Sequence, residues 1–240
     1  MIDDPVSADP QVDTGKVTPR RKAKVAAIVE SAWKLARVHG IAGVSLRALA
    51  REVGMRQPSL YAYFDSKHAL YDAMFADGNR RLNQQLSLVK LPRDPRAALK
   101  RFLAEFVAFA LEDPARYELL FERHVPGFTP SPAAYLFAEE VLGQVYKVIN
   151  EAGITKQGDI DCTVAMVAGL MEAQLSNDPG GDRWISHLNR LVVRELRDSA
   201  FRADGREVDA GHGGPRPGVV ARLVVDGQRA LTRSDRSCVE

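Results

Sequence analysis

The chain has 240 residues, of which 45% are hydrophobic and 27% charged, the ordinary composition of a globular protein. No stretch reaches the roughly 18 consecutive apolar residues of a membrane helix, and the N-terminus lacks the apolar segment of a secretory signal. The two cysteines offer neither a disulfide framework nor the spacing of metal ligands. We therefore expect a cytoplasmic protein that binds no membrane, metal or cofactor, with Cys162 reduced and packed in the interior.

The net charge of +2 conceals an uneven distribution along the chain. Residues 16–67 carry eleven lysines and arginines against three acidic residues, whereas residues 1–15 carry four aspartates. Basic charge concentrated in one segment favours a polyanionic partner such as nucleic acid. A solvated basic face would give the same count, so charge alone leaves both interpretations open.

The chain begins with a segment that predicts no packed structure. Residues 1–19 are polar, contain proline and show no period, so we expect a disordered arm whose basic end, PRRKAK, can follow a phosphate backbone. From about residue 21 to residue 39, apolar residues recur at helical spacing. Gly40 is placed to end this first helix.

Residues 45–67 predict two short helices joined by a tight turn, which is the helix-turn-helix arrangement. Ser45 is placed to cap the first of them, and Gly54 suits the left-handed conformation that ends a helix. The apolar positions of that first helix lie on one face and can dock on a core. With the preceding helix they predict a small hydrophobic core that contains Ile28, Trp33, Ile41, Leu46, Leu49, Val53, Leu60 and Phe64.

The second short helix is predicted over roughly Gln57 to Phe64. Pro58 is acceptable there only in the first helical turn. Leu60 and Phe64 share the inward face, which leaves Tyr61 and Tyr63 pointing outward.

Beyond this motif, apolar residues continue to recur at helical spacing as far as about residue 197. Lys67 begins a helix that Asp65 or Ser66 can cap. No strand alternation and no repeat occurs before residue 200. The segment beyond it is rich in glycine and proline and predicts a mostly disordered tail, with a weak hairpin around 219–231 as the alternative. After a break at 91–95, helices are predicted over 95–112, from 114, over 133–153, 159–175 and 184–196.

The run SLRALAREVGMRQPSLYAYFDSKHALYDAMF, with the helix before it, resembles the DNA-binding domain of the TetR family of transcriptional regulators over about residues 20–76. The rest of the chain is similar to the actinobacterial TetR-type regulatory domain, through PARYELLF and NDPGGDRW. The resemblance implies an all-α fold. It places a helix-turn-helix DNA-binding domain at 20–66, a helical ligand-binding and dimerisation domain at 67–200, and a tail at 201–240.

The resemblance also implies a homodimer in which the last two helices, about 159–175 and 183–197, pack against those of a second copy. Both helices have apolar faces that suit this interface, although the same faces could instead close the core of the monomer. These faces consist of Ile160, Val164, Val167 and Met171 on one helix and Trp184, Leu188, Leu191 and Val192 on the other.

For DNA contact, the polar groups of Gln57, Ser59 and Tyr61 can reach base edges in the major groove of a palindromic operator. Ala62 can touch a thymine methyl group, and Pro58 pre-sets the start of the helix. The resemblance adds phosphate contacts from Ser45, Tyr63 and Lys67, helped by Arg47 and Arg56. Each tyrosine could instead pack at the domain edge, and Ser45 could act as a cap alone.

For regulation, we expect a small apolar or aromatic effector in a cavity within the larger domain. Each candidate taken singly fits plain core better than a ligand-binding wall, so the hypothesis depends on the set. The candidates come from several helices, with His124 as the polar anchor, and comprise Phe102, Phe106, Tyr117, Phe121, His124, Tyr135, Val164 and Met171.

No nucleophile-base motif, metal motif or phosphate-binding glycine loop occurs in the chain, so we expect no enzyme. The competing hypothesis is a helical adaptor that binds protein and has no sequence-specific contact with DNA. The sequence specifies neither the operator, the effector and the regulated genes, nor repression as opposed to activation.

Overall fold

The computed structural model describes residues 18–122, 125–188, 190 and 191, and these described residues contain helices and no strand. The predicted all-α fold is confirmed. The arm as far as residue 17 and the tail 201–240 lie outside the described residues. The helices are α1 (Pro19–Gly43), α2 (Leu46–Glu52), α3 (Gln57–Tyr61), α4 (Lys67–Leu88), α5 (Pro95–Glu112), α6 (Pro114–Phe121), α7 (Pro132–Glu151) and α8 (Gln157–Asn177).

The segment after α8 differs from the prediction of one helix over 184–196. It opens with a 3-10 turn, Ile185–His187, and residues 188, 190 and 191 are helical. The rest of that predicted helix lies outside the described residues.

Four of the helices start at a short polar residue followed by proline. In each case the polar side chain accepts a hydrogen bond from the N–H group three residues later, and the proline occupies a position that needs no donor. The helix starts are therefore set locally, and α1 begins at Pro19, within the segment predicted to be a disordered arm. The capping residues are Thr18, Asp94, Asp113 and Ser131.

The end of α1 differs from the prediction. Gly40 has φ 71° and ψ 166°, but the chain makes one further turn and leaves the helix after Gly43. That turn persists because Ile41 is fully buried and its carbonyl oxygen accepts a 2.8 Å hydrogen bond from the Tyr71 hydroxyl. Gly40 thus kinks the helix rather than ending it.

Two hydrophobic clusters hold the chain together. The N-terminal cluster lies among α1–α4 and α6 and contains the predicted small core, with Leu46 and Val53 partly buried at its edge. The C-terminal cluster lies among α4–α8. Helices α4 and α6 supply residues to both clusters, so they form the mechanical connection between the two halves.

No helix among the described residues is long and apolar enough to cross a membrane.

Candidate nucleic-acid interface and internal cavity

Helix α3 is anchored by its inward side and exposes its first turn. Leu60 is 0% exposed and packs in the N-terminal cluster with Phe64. Gln57, Pro58 and Ser59 are exposed at the start of the helix. Their polar groups are therefore held in a fixed position and open to a ligand outside the protein.

The helix is shorter than the predicted 57–64 because its regular hydrogen bonding ends at Tyr61. Tyr61 is 45% exposed, and Ala62, the C-cap of the helix, is exposed as well. Ala62 and Tyr63 consequently lie in the turn after the helix and do not project from the helical surface. From this turn they can still contact a ligand that lies beside α3.

Ser45 caps α2, since its Oγ accepts a 3.1 Å hydrogen bond from the N–H of Ala48. Its contact with phosphate stays a prediction, and the exposed position of the side chain is compatible with both roles. Arg47 on α2 and Arg56 at the N-cap of α3 are exposed as well, and Arg56 makes no side-chain capping bond. Cationic groups thus flank the first turn of α3.

Tyr63 and Lys67 are less free than the sequence suggests. Tyr63 is half-buried against the N-terminal cluster instead of pointing fully outward. Lys67, the first residue of α4, donates from Nζ to the carbonyl oxygen of Ala42 at 2.9 Å and lies over the Tyr71 ring. An ammonium group has three donors, so this bond leaves two for a phosphate.

Arg21 also belongs to the exposed surface around α3, although it lies outside the helix-turn-helix at residues 45–67. Its guanidinium donates to the carbonyl oxygen of Ala62 at 2.8 Å and lies 5.1 Å from the centre of the Tyr63 ring. The first turn of α1 is thereby held beside the end of α3, and Arg20, Lys22 and Lys24 remain exposed there. The basic run PRRKAK was the signal in the sequence, but only folding shows what it lies next to.

A cavity of about 110 Å³ lies among α5, α6, α7 and α8. Five of the eight predicted residues line it, and their role in ligand binding stays a prediction. Met171 is fully buried in the C-terminal cluster, Tyr135 is half-buried against that cluster, and neither lines the cavity. His124 lies outside the described residues. The predicted residues in the lining are Phe102, Phe106, Tyr117, Phe121 and Val164.

Three aromatic rings form one wall of the cavity. The Phe106 and Phe121 ring centres are 5.4 Å apart, and the Tyr117 and Phe121 centres are 5.1 Å apart. Burial, reinforced by the charges of Glu122 and Glu172, raises the pKa of Tyr117. Its hydroxyl therefore stays protonated and uncharged across the physiological range.

The opposite wall comes from α7 and the first half of α8, and apart from Val164 its residues were not predicted from the sequence. Apolar residues of α7 occur on several sides of the helix, so spacing alone did not show which ones face the cavity. The residues missed there include Val141, Leu142, Val145, Tyr146, Ile149, Asp161 and Thr163.

An ionic network ties α6 to the N-terminal half. Asp113 accepts from Arg37 of α1 at 2.7 Å and pairs with Arg116 of α6 at 3.1 Å. Arg37 also pairs with Glu30, which in turn pairs with Arg81 of α4 at 2.8 Å. Burial works against ionisation of Glu30, but the two arginines outweigh it and lower the pKa of its carboxyl group. Movement of α6 would therefore reach both α1 and α4.

The burial of the inner face of α8 contradicts the dimer interface predicted for it. Ile160, Val167 and Met171 are buried in the C-terminal cluster, and Val164 lines the cavity, so this face closes the core of the monomer. Leu188, predicted for the same interface, is buried in that cluster too.

The outer face of α8 carries Cys162, which is exposed, so the prediction of a packed thiol is wrong. Small or apolar side chains accompany it on this outer face. The set consists of Cys162, Ala165, Met166, Gly169, Leu170 and Ala173, all exposed or half-buried.

In the part of the chain that the structure describes, no group of three or more His, Cys, Asp or Glu side chains could hold a metal ion.

Residues 28–74 match the family model described as bacterial regulatory proteins, tetR family. Over 186 residues the chain is 32% identical to the HTH-type transcriptional regulator Rv1816 of Mycobacterium tuberculosis (strain ATCC 25618 / H37Rv), a match that covers 72% of this chain and 77% of that protein.

Solved structures that share the fold include one with bound DNA and one with a bound small molecule. The crystal structure of BioQ with its natural double-stranded DNA operator is 20% identical with a TM-score of 0.52, over 72% of this chain and 98% of that one. A TetR variant from Acinetobacter baumannii AYE in complex with minocycline is 19% identical with a TM-score of 0.53, over 74% of this chain and 96% of that one.

Proposed function

Because the chain belongs to the TetR family of bacterial transcriptional regulators, we propose that it is a homodimeric, ligand-responsive repressor that binds a palindromic operator through α3. Its relatives are transcriptional regulators rather than enzymes. The single observation that carries the proposal is the exposed first turn of α3, anchored from behind by Leu60 and flanked by cationic side chains. Such a protein acts in the cytoplasm, where operator DNA is found.

In this proposal the first turn of α3 reads bases in the major groove. Gln57 and Ser59 present donors and acceptors to base edges, and Tyr61 adds a hydroxyl and an aromatic face. The rigid anchoring of α3 matters because a bidentate contact requires a fixed side-chain origin. Phosphate contacts from Ser45, Arg47, Arg56, Tyr63 and Lys67 then set the register of the helix on the duplex.

The first turn of α1 extends this contact to the neighbouring backbone. Arg21 is held beside Ala62 and Tyr63, so the exposed cations that surround it lie next to α3. Each cation that neutralises a phosphate adds to the salt dependence of binding. The basic segment thereby contributes affinity, while α3 supplies specificity.

Dimerisation is proposed to use the outer face of α8 in place of the inner face predicted from the sequence. Small residues such as Ala165 and Gly169 permit close approach of the same helix from a second copy, and Met166 and Leu170 supply apolar contact. A two-fold interface requires a surface that is complementary to itself. Two recognition helices related by this symmetry match the two halves of a palindrome.

Sedimentation velocity tests this interface with a matched pair of substitutions. Ala165→Glu puts a charge on the outer face of α8 and is expected to give monomers that fail to bind operator. Leu136→Glu puts the same charge on α7, where the side chain is 59% exposed, and should leave the dimer intact. A dimeric Ala165→Glu protein would show that another surface forms the interface.

The switch is proposed to run from the cavity through α6. A ligand against Tyr117 and Phe121 contacts α6 directly, and the same helix is tied to α1 through Asp113 and Arg37. A ligand that fits a shifted α6 better would favour a different spacing of the recognition helices, since it acts only through its differential affinity for the two states. Operator release is the expected result.

A salt series with the upstream region of the protein's own gene tests DNA binding. Arg47→Ala should lower affinity and reduce the slope of log K against log salt by about one for each protomer's lost phosphate contact. Arg93→Ala removes the same charge from the connection between α4 and α5, where the side chain is also exposed, and should leave both unchanged. Binding that lacks salt dependence and sequence preference would favour the protein-binding adaptor.

A thermal-shift screen of small apolar and aromatic compounds, followed by gel shift, tests the response to ligand. Compounds that stabilise the protein are expected to release operator. A series of such compounds that leaves the operator bound would count against the switch but not against DNA binding.

A further inference from the structure

The cavity lining contains one charged side chain. Of the sixteen described residues that line it, Asp161 alone carries a charge, and it lies in the second turn of α8, half-buried. The other lining residues are apolar, apart from the hydroxyl groups of Tyr117, Tyr146 and Thr163. The Thr163 hydroxyl already donates to the carbonyl oxygen of Asp159 at 2.8 Å.

The carboxylate of Asp161 has only a neutral partner within the described ranges. Gln157 donates to its Oδ1 at 2.9 Å, and no lysine or arginine forms an ion pair with it. Tyr146 lies on the facing helix α7, and burial together with the charge of Asp161 raises the pKa of that phenol. The polar end of the cavity is therefore negative and carries a protonated hydroxyl beside the carboxylate.

Two carboxylates that lie outside the cavity lining act on its aromatic wall. Glu122 and Glu172 act electrostatically on Tyr117, in the same sense as Asp161 acts on Tyr146. A carboxylate beside apolar walls is stabilised by a cation that brings its own hydrogen-bond donors. Aromatic faces such as Phe106 and Phe121 also attract cations, and they repel anions.

We infer that the cavity takes a small lipophilic amine, whose protonated nitrogen pairs with Asp161 while its apolar body lies against the aromatic wall. This inference rests on the proposed function only in treating the cavity as the effector site. A volume of about 110 Å³ is somewhat smaller than the roughly 150 Å³ of an engineered cavity that holds benzene. The ligand is therefore one ring or a short chain, with the amine toward the start of α8.

Three probes that share one carbon skeleton, a single ring with one further carbon, test the inference by calorimetry on the full chain: benzylamine, benzyl alcohol and benzoate. The amine is expected to bind at least about tenfold tighter than the alcohol, as for a partly buried charge-assisted hydrogen bond. The carboxylate should bind weakest. Equal binding of amine and alcohol, preference for the carboxylate, or no binding of any probe would overturn the inference.

Asp161→Asn keeps the shape of the side chain and removes its charge. The amine should then bind about tenfold more weakly, at the level of the alcohol. Unchanged affinity for the alcohol shows that the variant is folded. Asp159→Asn removes the same charge from the preceding turn of α8 outside the lining, and it should keep the preference for the amine. An Asp161→Asn protein that still prefers the amine would contradict the assignment.

Gel shifts on the same samples separate this inference from the proposed function. If the amine binds through Asp161 but leaves operator bound, the inference stands and the proposed switch fails. If operator is released by benzyl alcohol and benzylamine at equal concentrations, with Asp161→Asn indistinguishable from the unmodified chain, the switch stands and the inference fails.

Discussion

The carboxylate of Asp113 holds α6 against α1, and its removal should be costly. The side chain is 2% exposed, and the Arg116 side chain with which it pairs is 7% exposed. Its Oδ1 also accepts from the N–H of Arg116 and caps α6. Asp113→Asn keeps an oxygen for the cap while it removes the charge that compensates a buried guanidinium.

The expected loss is about 3 kcal/mol in the free energy of unfolding. Breaking a buried ion pair costs about 3–5 kcal/mol because one charge is left uncompensated, and the retained amide oxygen places this case at the lower end. Arg116 forms no other ion pair with a described residue, and its Nε has no hydrogen-bond partner there. The lost pair between Arg37 and Asp113 adds little to this cost, because the Arg37 side chain is 37% exposed and still pairs with Glu30.

Urea denaturation followed by circular dichroism measures this loss, at one protein concentration because dimerisation contributes to stability. Asp94→Asn is the matched control. Asp94 caps α5 in the same way, through a 2.7 Å bond from the N–H of Ala97, but it forms no ion pair within the described part of the chain. Since Asn caps as well as Asp, the control should unfold like the unmodified chain. Equal stability of the two variants would refute the role given to the buried pair.

Four further predictions concern single substitutions, three measured by stability and one by DNA binding. Gly54 has φ 65°, so Gly54→Ala should lower stability by about 1–2 kcal/mol. Gly143→Ala, inside α7 with no atom near an added Cβ, should raise it by about 0.5–1 kcal/mol; a loss at Gly143 would show hidden crowding. The pKa of Glu30 is lowered from 4.5, so its contribution is present above that value and disappears as pH falls through the lowered pKa. Thermal melts from neutral into acid should thus be less pH-dependent for Glu30→Gln, and parallel curves would contradict this. Arg21→Ala should weaken operator binding severalfold in fluorescence anisotropy, whereas Arg93→Ala should not; equal effects would place Arg21 outside the interface.

The local features of the fold were predictable because short-range chemistry sets them. Ser45 and Ser66 cap helices as their spacing indicated, and Gly54 adopts the left-handed conformation expected after α2. A cap needs only a side-chain oxygen and an N–H group three residues away, so neighbours along the chain decide it. The predicted small core also formed, because its apolar positions lie at helical spacing.

The faces of α8 were not predictable because both are apolar. Helical spacing shows which residues share a side, but not which side meets the core when neither side is polar. Ile160 and Met171 were predicted at the interface and are buried inside, while Cys162 was predicted inside and is exposed. The orientation of α8 is set by its packing against α5 and against the 3-10 turn Ile185–His187.

The lining of the cavity was likewise predictable only in part. Phe102, Phe106, Tyr117 and Phe121 were predicted from different helices to line one cavity, and all four line it. Tyr135 was predicted in the lining but lies outside it, and Asp161 was missed. Whether a residue on one helix faces a void depends on the angle and offset of the other three helices.

The sequence by itself determined the all-helical class, the helix starts, the anchored turn of α3 and the family, since each depends on residues close together in the chain. The tertiary structure alone decided that Arg21 lies beside α3, that Asp113 joins α6 to α1, and that a single carboxylate faces the cavity. Those three facts join residues far apart in the chain, and their relative positions are fixed only when the two hydrophobic clusters pack through α4 and α6.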